Sequence, residues 1–195
     1  FAEEVPYEHL YTWDIPNYLN ENAPYQPDQG QNSPPQVVWH ALKLTNTTGQ
    51  PWTSAPASTM KEGRILGQDT LLYTASGAST ELKITQAVSI HAEQNEYEIE
   101  RQRSAAQFYG REYDLVTVQG ELAVVNYKEE PVTIEITKTL TGEVRKSDEE
   151  PKISRLAKGL SSVNPISQLV WKIAVKPGKD NASKLTYTYQ LYVRG

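Results

Sequence analysis

The stretch Lys184-Leu185-Thr186-Tyr187-Thr188-Tyr189-Gln190-Leu191-Tyr192-Val193-Arg194 decides the fold class. Leu185, Tyr187, Tyr189, Leu191 and Val193 fall on one face of an extended chain. Lys184, Thr186, Thr188, Gln190 and Arg194 fall on the other, with Tyr192 as the one exception. Successive side chains of a strand point to opposite faces, so this alternation specifies a strand with one face in a core and one in water. Leu169, Trp171, Ile173 and Val175 repeat the pattern just upstream, and Pro177-Gly178 through Ser183 turns one strand into the next.

Further upstream the same grammar continues. Val132, Ile134, Ile136 and Leu140 alternate after a turn at Tyr127 to Pro131. Glu112–Val118 and Glu121–Asn126 read as strand on either side of Gln119-Gly120, where the glycine marks a hairpin turn or a bulge in one long strand. Ser104–Gly110 reads as a break. Glu81–His91 alternates, with Leu82, Ile84, Val88 and Ile90 expected inside. Thr59–Leu66 and Thr70–Thr74 form an expected hairpin around Gly67-Gln68-Asp69, and Val37–Thr45, apolar on both faces, reads as central. Residues 141–168 are polar and irregular, with a short helical turn expected near Leu156.

About nine to eleven strands with short connections, and no helix beyond two turns, predict an all-β antiparallel sandwich, immunoglobulin-like or larger. Its expected layout is an N-terminal strand and Pro/Asn-rich arm over 1–36, packed on a single β-sandwich body over 37–195. The arm and the 141–168 segment exceed ordinary hairpin loops, so they cross between sheets or cover an open end.

Composition narrows the function classes. A chain of 195 residues can bury a core without staples, and it has no cysteine, which excludes thiol catalysis, cysteine zinc sites and a disulfide framework. The net charge is −5, and the densest basic group, Arg101, Arg103 and Arg111, follows Glu93, Glu96, Glu98 and Glu100. Nucleic acid is therefore not an expected partner. No apolar run is long enough for a membrane span. The opening Phe1-Ala2-Glu3-Glu4 reads as the interior of a longer protein, with the cell envelope or secretion favoured as its location.

The order of several motifs resembles the C-terminal β-rich domain of mucoidy inhibitor A-like bacterial proteins. The motifs are His9-Leu10-Tyr11-Thr12-Trp13 with Ile15-Pro16, Leu44-Thr45-Asn46 before the Gly63 to Leu72 segment, Val124–Val132 with its Asn126 turn, and Trp171–Gly178 leading into Leu185–Tyr189. Between the first strand and the hairpin the chain departs from that pattern, with Trp52–Ser58 in place of a Pro/Gly segment. The resemblance implies a fold class and no mechanism, because the family has no established catalytic residues. No cofactor is expected.

Motif chemistry agrees. There is no H-E-x-x-H, G-x-S-x-G, phosphate loop or dinucleotide fingerprint. His91 beside Glu93 is a possible metal pair, outweighed by its reading as a surface histidine. Glu96, Glu98 and Glu100 share one face and read as a solvated edge that discourages strand pairing. Asn46-Thr47-Thr48 and Asn181-Ala182-Ser183 match the glycosylation sequon but lie in turn sequence.

The 12 Tyr and 4 Trp, against 2 Phe, are the remaining functional signal, because an apolar ring with a polar tip suits interfaces and sugars. Trp52 and Tyr109, in loop sequence, are the candidate contact residues. The expectation is a non-enzymatic module of a larger bacterial protein that binds a protein partner or neighbouring domains of its own chain. A carbohydrate-binding module is the first alternative, with glycan as ligand. A hydrolase with carboxylates from distant loops, such as Glu93, Glu143 and Asp148, is the second.

Overall fold

The computed structural model describes residues 4–17, 36–156 and 162–194. The chain is all-β and sandwich-like, built of antiparallel sheets with no closed barrel. Among the described residues there are twelve strands, β1 (Tyr7–Ile15), β2 (Val38–Thr45), β3 (Ala55–Lys61), β4 (Arg64–Leu71), β5 (Ser79–Gln86), β6 (Ile90–Phe108), β7 (Arg111–Asn126), β8 (Val132–Thr141), β9 (Glu143–Ser147), β10 (Lys152–Leu156), β11 (Ile166–Val175) and β12 (Ser183–Arg194). The Pro/Asn-rich segment read as a loop falls almost wholly outside the described residues.

The strands group into two compact units, one of residues 1–12 and 37–88, the other of 13–36 and 89–195. In the first unit β2 pairs with β5, and the Tyr7–Thr12 part of β1 runs beside β2. The β3–β4 hairpin turns at Glu62-Gly63, five residues before the turn at Gly67-Gln68-Asp69 expected from sequence. Both turn residues have positive φ, 52° and 76°, the handedness that matches strand twist in a two-residue hairpin. Gly67 instead lies inside β4, where its backbone presses on β5. A Cβ there would sit 2.8 Å from the carbonyl carbon and 2.9 Å from the Cα of Ile84, and the Lys83 N–H donates to Asp69 at 2.8 Å across the same contact. β5 stops at Gln86, so Val88, expected inside, stands 90 % exposed in the turn to β6.

The second unit is a two-layer sandwich. One layer has the order β10-β11-β8, with the Trp13–Ile15 end of β1 beside β8; the other has the order β6-β7-β12-β9. The alternation in β12 is realised in full, since Leu185, Tyr187, Tyr189, Leu191 and Val193 are all buried. Opposite them lie Leu169, Trp171, Ile173 and Val175 of β11 and Ile134, Ile136 and Leu140 of β8, also buried. Trp171 and Tyr187 bridge the layers at a ring separation of 5.7 Å, and the Trp171 indole N–H donates to Ser147 Oγ at 3.1 Å. The 141–168 segment is more ordered than its polarity suggests. It supplies β9 and β10, short strands paired to β12 and β11, and Leu156 ends a strand where a helical turn was expected.

Each unit contains the same local device. Asn46 directly follows β2 and Asn126 ends β7, and each is fully buried and followed five residues later by proline, Pro51 or Pro131. In each, Oδ1 accepts the backbone N–H two residues on, Thr48 or Lys128. In each, Nδ2 donates to the carbonyl four residues on, Gln50 or Glu130, and to a distant carbonyl, Thr74 or Val175. An asparagine is suited to this because its amide mimics a backbone turn while satisfying groups that the buried turn would otherwise orphan.

Candidate binding surfaces and the buried polar node

The tip of the β6–β7 hairpin carries the clearest surface feature. Ser104–Gly110 is not a break, because β6 continues to Phe108 through a register shift between Gln102 and Ala106. Ser104 sits in that bulge at φ 47°, a left-handed conformation uncommon for a residue with a Cβ. Asp114 holds it there by accepting the Ser104 N–H at 3.0 Å, while Ser104 Oγ bonds Glu112 at 3.0 Å. Arg101 adds a bond to Asp114 at 3.0 Å and a two-pronged pair with Glu98 at 2.8 and 2.7 Å. The Ser104 N–H and then Arg101 hold the Asp114 carboxyl below its ordinary range, and Arg101 does the same for Glu98.

Beside the bulge lies an open concavity of about 460 Å³ lined by Ser104, Arg111, Glu112, Asp114 and Arg194. Its carboxylates are occupied by the bonds just described, whereas Arg111 and Arg194 make no ion pair among the described residues. At the tip, Tyr109 is 75 % exposed, and Tyr109-Gly110 form the hairpin turn with φ of 54° and 74°. Phe108 anchors the base of that tip edge-on against Tyr113 and Tyr192, at 5.5 and 5.2 Å.

Trp52 lies in the first unit and is half-buried. Its backbone is pinned to Thr74, with reciprocal N–H to carbonyl bonds of 2.9 and 3.0 Å. Leu72 and Tyr73, next to that bridge, are exposed. Tyr109 belongs to the second unit, so the two residues are features of separate units. At the end of the β3–β4 hairpin, beside the register shift between Thr59 and Met60, Met60, Ile65 and Leu66 are exposed.

Sequence reasoning missed a polar node inside the second unit. Tyr187 of β12, Gly120 of β7 and Glu96 of β6 stand directly opposite one another across three strands. The Tyr187 ring lies over Gly120, and its hydroxyl donates to Glu96 at 2.5 Å. Lys138 from β8 closes the node with an ion pair to Glu96 at 3.1 Å, its own side chain only 6 % exposed. Burial lowers the Lys138 ammonium from its usual range, with Glu96 opposing that shift. Burial first, and then Glu96, raises the Tyr187 phenol well above its usual range. Glu96 is thus a satisfied partner of the sandwich interior and no member of a solvated edge; Glu98 is paired with Arg101. The strand is continuous at Gly120, which is neither turn nor bulge.

The node links the layers, and its groups are all committed to one another. The carboxylates considered for hydrolysis are likewise engaged. Glu93 bonds His91 at 2.8 Å, Glu143 pairs with Arg155 and Arg145 at 2.7 and 3.3 Å, and Asp148 accepts the Thr186 N–H at 3.1 Å. No group of three or more His, Asp or Glu among the described residues converges as a metal site. No helix among them is long and apolar enough to cross a membrane. No family model matches the chain, and no curated protein or solved structure is significantly similar to it.

Proposed function

We propose that the protein is a non-catalytic β-sandwich module of a larger bacterial protein, of the kind resembled by the mucoidy inhibitor A-like C-terminal domain. It binds a protein partner or a neighbouring domain through the tip of the β6–β7 hairpin. The observation that carries this reading is Tyr109. A large aromatic exposed at a left-handed turn position contributes little to folding, and asparagine or glycine would serve that backbone better. Strain at an exposed side chain is characteristic of a residue kept for contact. Tyrosine and arginine dominate the energetics of protein interfaces, and Arg111 of β7 and Arg194 of β12 line the concavity next to the tip. Trp52, with Leu72 and Tyr73 beside its bridge, offers a second contact patch in the first unit. The polar lining of the concavity favours glycan as the second reading.

The test separates binding from folding. Tyr109→Asn relaxes the turn, so it is expected to raise stability by about 0.5–1 kcal/mol. A photoreactive amino acid at 109, in the full-length protein in cells, is expected to give a discrete cross-linked species that a control at the exposed Glu149 does not. The same species is expected to be lost when Arg111 and Arg194 are replaced by alanine. Indistinguishable cross-linking at 109 and 149 would sink the proposal, and selective capture of glycan would move the assignment to the second reading.

A further inference from the structure

The end of the β3–β4 hairpin, in the first unit, is exposed at every residue from Met60 to Leu66. The strand register sorts its side chains into two sets. Met60 stands directly opposite Ile65, and Lys61 directly opposite Arg64. Leu66 is the extra residue at the shift between the Met60–Ile65 and Thr59–Gly67 pairs, so it adds a third apolar side chain beside the first two. Val88, 90 % exposed, lies toward the same end of the unit. Gly67 of β4 abuts Ile84 of β5, and Asp69 accepts the Lys83 N–H, so β4 runs antiparallel to β5 and the hairpin end and the turn after β5 point the same way. Neither set of side chains helps the fold. Like charges directly opposite each other on a sheet repel, and Lys61 and Arg64 make no ion pair among the described residues. The apolar set gains little while it stays in water.

We infer that the β3–β4 hairpin end seats in the interface of a membrane that carries anionic lipids, lying on the bilayer and not crossing it. The two sets of side chains match the two zones of that interface. Met60, Ile65 and Leu66 enter the boundary of the acyl chains, while Lys61 and Arg64 stay at the level of the phosphates, whose negative charge relieves their mutual repulsion. The whole chain has a net charge of −5 and gains no general attraction to an anionic surface, so binding depends on this local pair. Size argues against a protein in the same place. A stable protein interface engages about 20–30 residues a side, and four apolar side chains with two cations fall far short of that. A lipid interface sets no minimum area, since its binding grows with the apolar surface inserted and the charges neutralised. The surface is separate from Tyr109 and its concavity, which belong to the second unit.

The experiment sediments the tag-free full chain with vesicles of phosphatidylcholine alone and of an equal mixture of phosphatidylcholine and phosphatidylglycerol. Binding is expected to the mixed vesicles in preference to the neutral ones, and to weaken as salt is raised. Lys61→Gln and Arg64→Gln are each expected to weaken it roughly fivefold. Met60→Ser combined with Ile65→Ser should weaken it roughly tenfold or more, with circular dichroism unchanged. The chain has no cysteine, so Ile65→Cys offers a single attachment point for an environment-sensitive dye. Its emission is expected to shift to the blue on mixed vesicles, and the same dye on Glu149→Cys is expected not to shift. Absence of binding to the mixed vesicles overturns the inference. So does equal binding to both kinds of vesicle, or unchanged binding by a folded Met60/Ile65 variant. A blue shift at residue 65 that grows with protein concentration in the absence of vesicles also overturns it and assigns the patch to a second copy of the chain.

Discussion

Replacing Gly120 by alanine tests whether the sandwich interior is organised around the Tyr187–Glu96 contact. A Cβ on residue 120 would lie 2.5 Å from the Tyr187 hydroxyl oxygen and 2.6 Å from its Cε1, with the ring carbon between them closer still. Real Cβ atoms do not approach this near, so the ring must leave or the strands must part. Overpacking of a filled core costs about 1–3 kcal/mol. Losing a hydrogen bond to a charged acceptor costs about 1.5–3 kcal/mol more. Alanine recovers about 0.5–1 kcal/mol of the backbone entropy that glycine forfeits in a strand. The net expectation is a loss of about 2–5 kcal/mol, read by urea unfolding with tryptophan fluorescence, to which Trp171 reports directly because it packs on the same ring. A second comparison isolates the mechanism. Tyr187→Phe should cost about 1.5–3 kcal/mol alone and far less in the Gly120→Ala background, where the bond is already broken. Stability of Gly120→Ala within about 0.5 kcal/mol of the parent would refute the reasoning, and so would additive costs in the double variant.

Asn46→Ala and Asn126→Ala each strip a buried turn of an acceptor and of donors to two or more carbonyls, so each should cost about 3 kcal/mol or more. Hydrogen exchange should localise the first loss to residues 37–88 and the second to 89–195; a uniform loss from either would contradict the division into units. Glu62→Asn places the favoured residue at the first position of the β3–β4 turn and should stabilise by about 0.5–1 kcal/mol in thermal or urea unfolding; destabilisation would mean the turn is of another type. Asp114 has a folded carboxyl below its ordinary range, so the unfolded chain binds the proton more readily. Its contribution is present above the ordinary carboxylate range and is lost as pH falls through the folded value. Asp114→Asn should therefore lose less stability than the parent between neutral pH and about pH 3, measured as the shift in urea midpoint, and an equal loss in both would remove Asp114 from the acid response.

The sequence by itself determined the class of fold and which faces are inside. Period-two alternation in 169–175 and 185–193 reflects the geometry of an extended chain, which needs no tertiary information, and the inward face of both runs, Leu169, Trp171, Ile173 and Val175 with Leu185, Tyr187, Tyr189, Leu191 and Val193, is buried throughout. Tertiary structure decided where alternation is interrupted. Val88 continues the arithmetic of β5, yet the chain turns there, and the Gly67 that resembles a turn is needed for close packing on Ile84. Glycine in a strand and glycine in a turn are identical in sequence, and only a neighbouring strand distinguishes them. The same holds for charge. Glu96, Glu98 and Glu100 look equivalent along the chain, but Lys138 and Tyr187 reach only Glu96, from strands more than 40 residues away. Tyr109 was legible as a loop aromatic, while its strained turn, the occupied carboxylates beside it and the facing of Met60 with Ile65 depend on strand register. Register depends on the hydrophobic patterns of both paired strands and on the turn between them, so one strand read alone does not reveal which residue of another it will face.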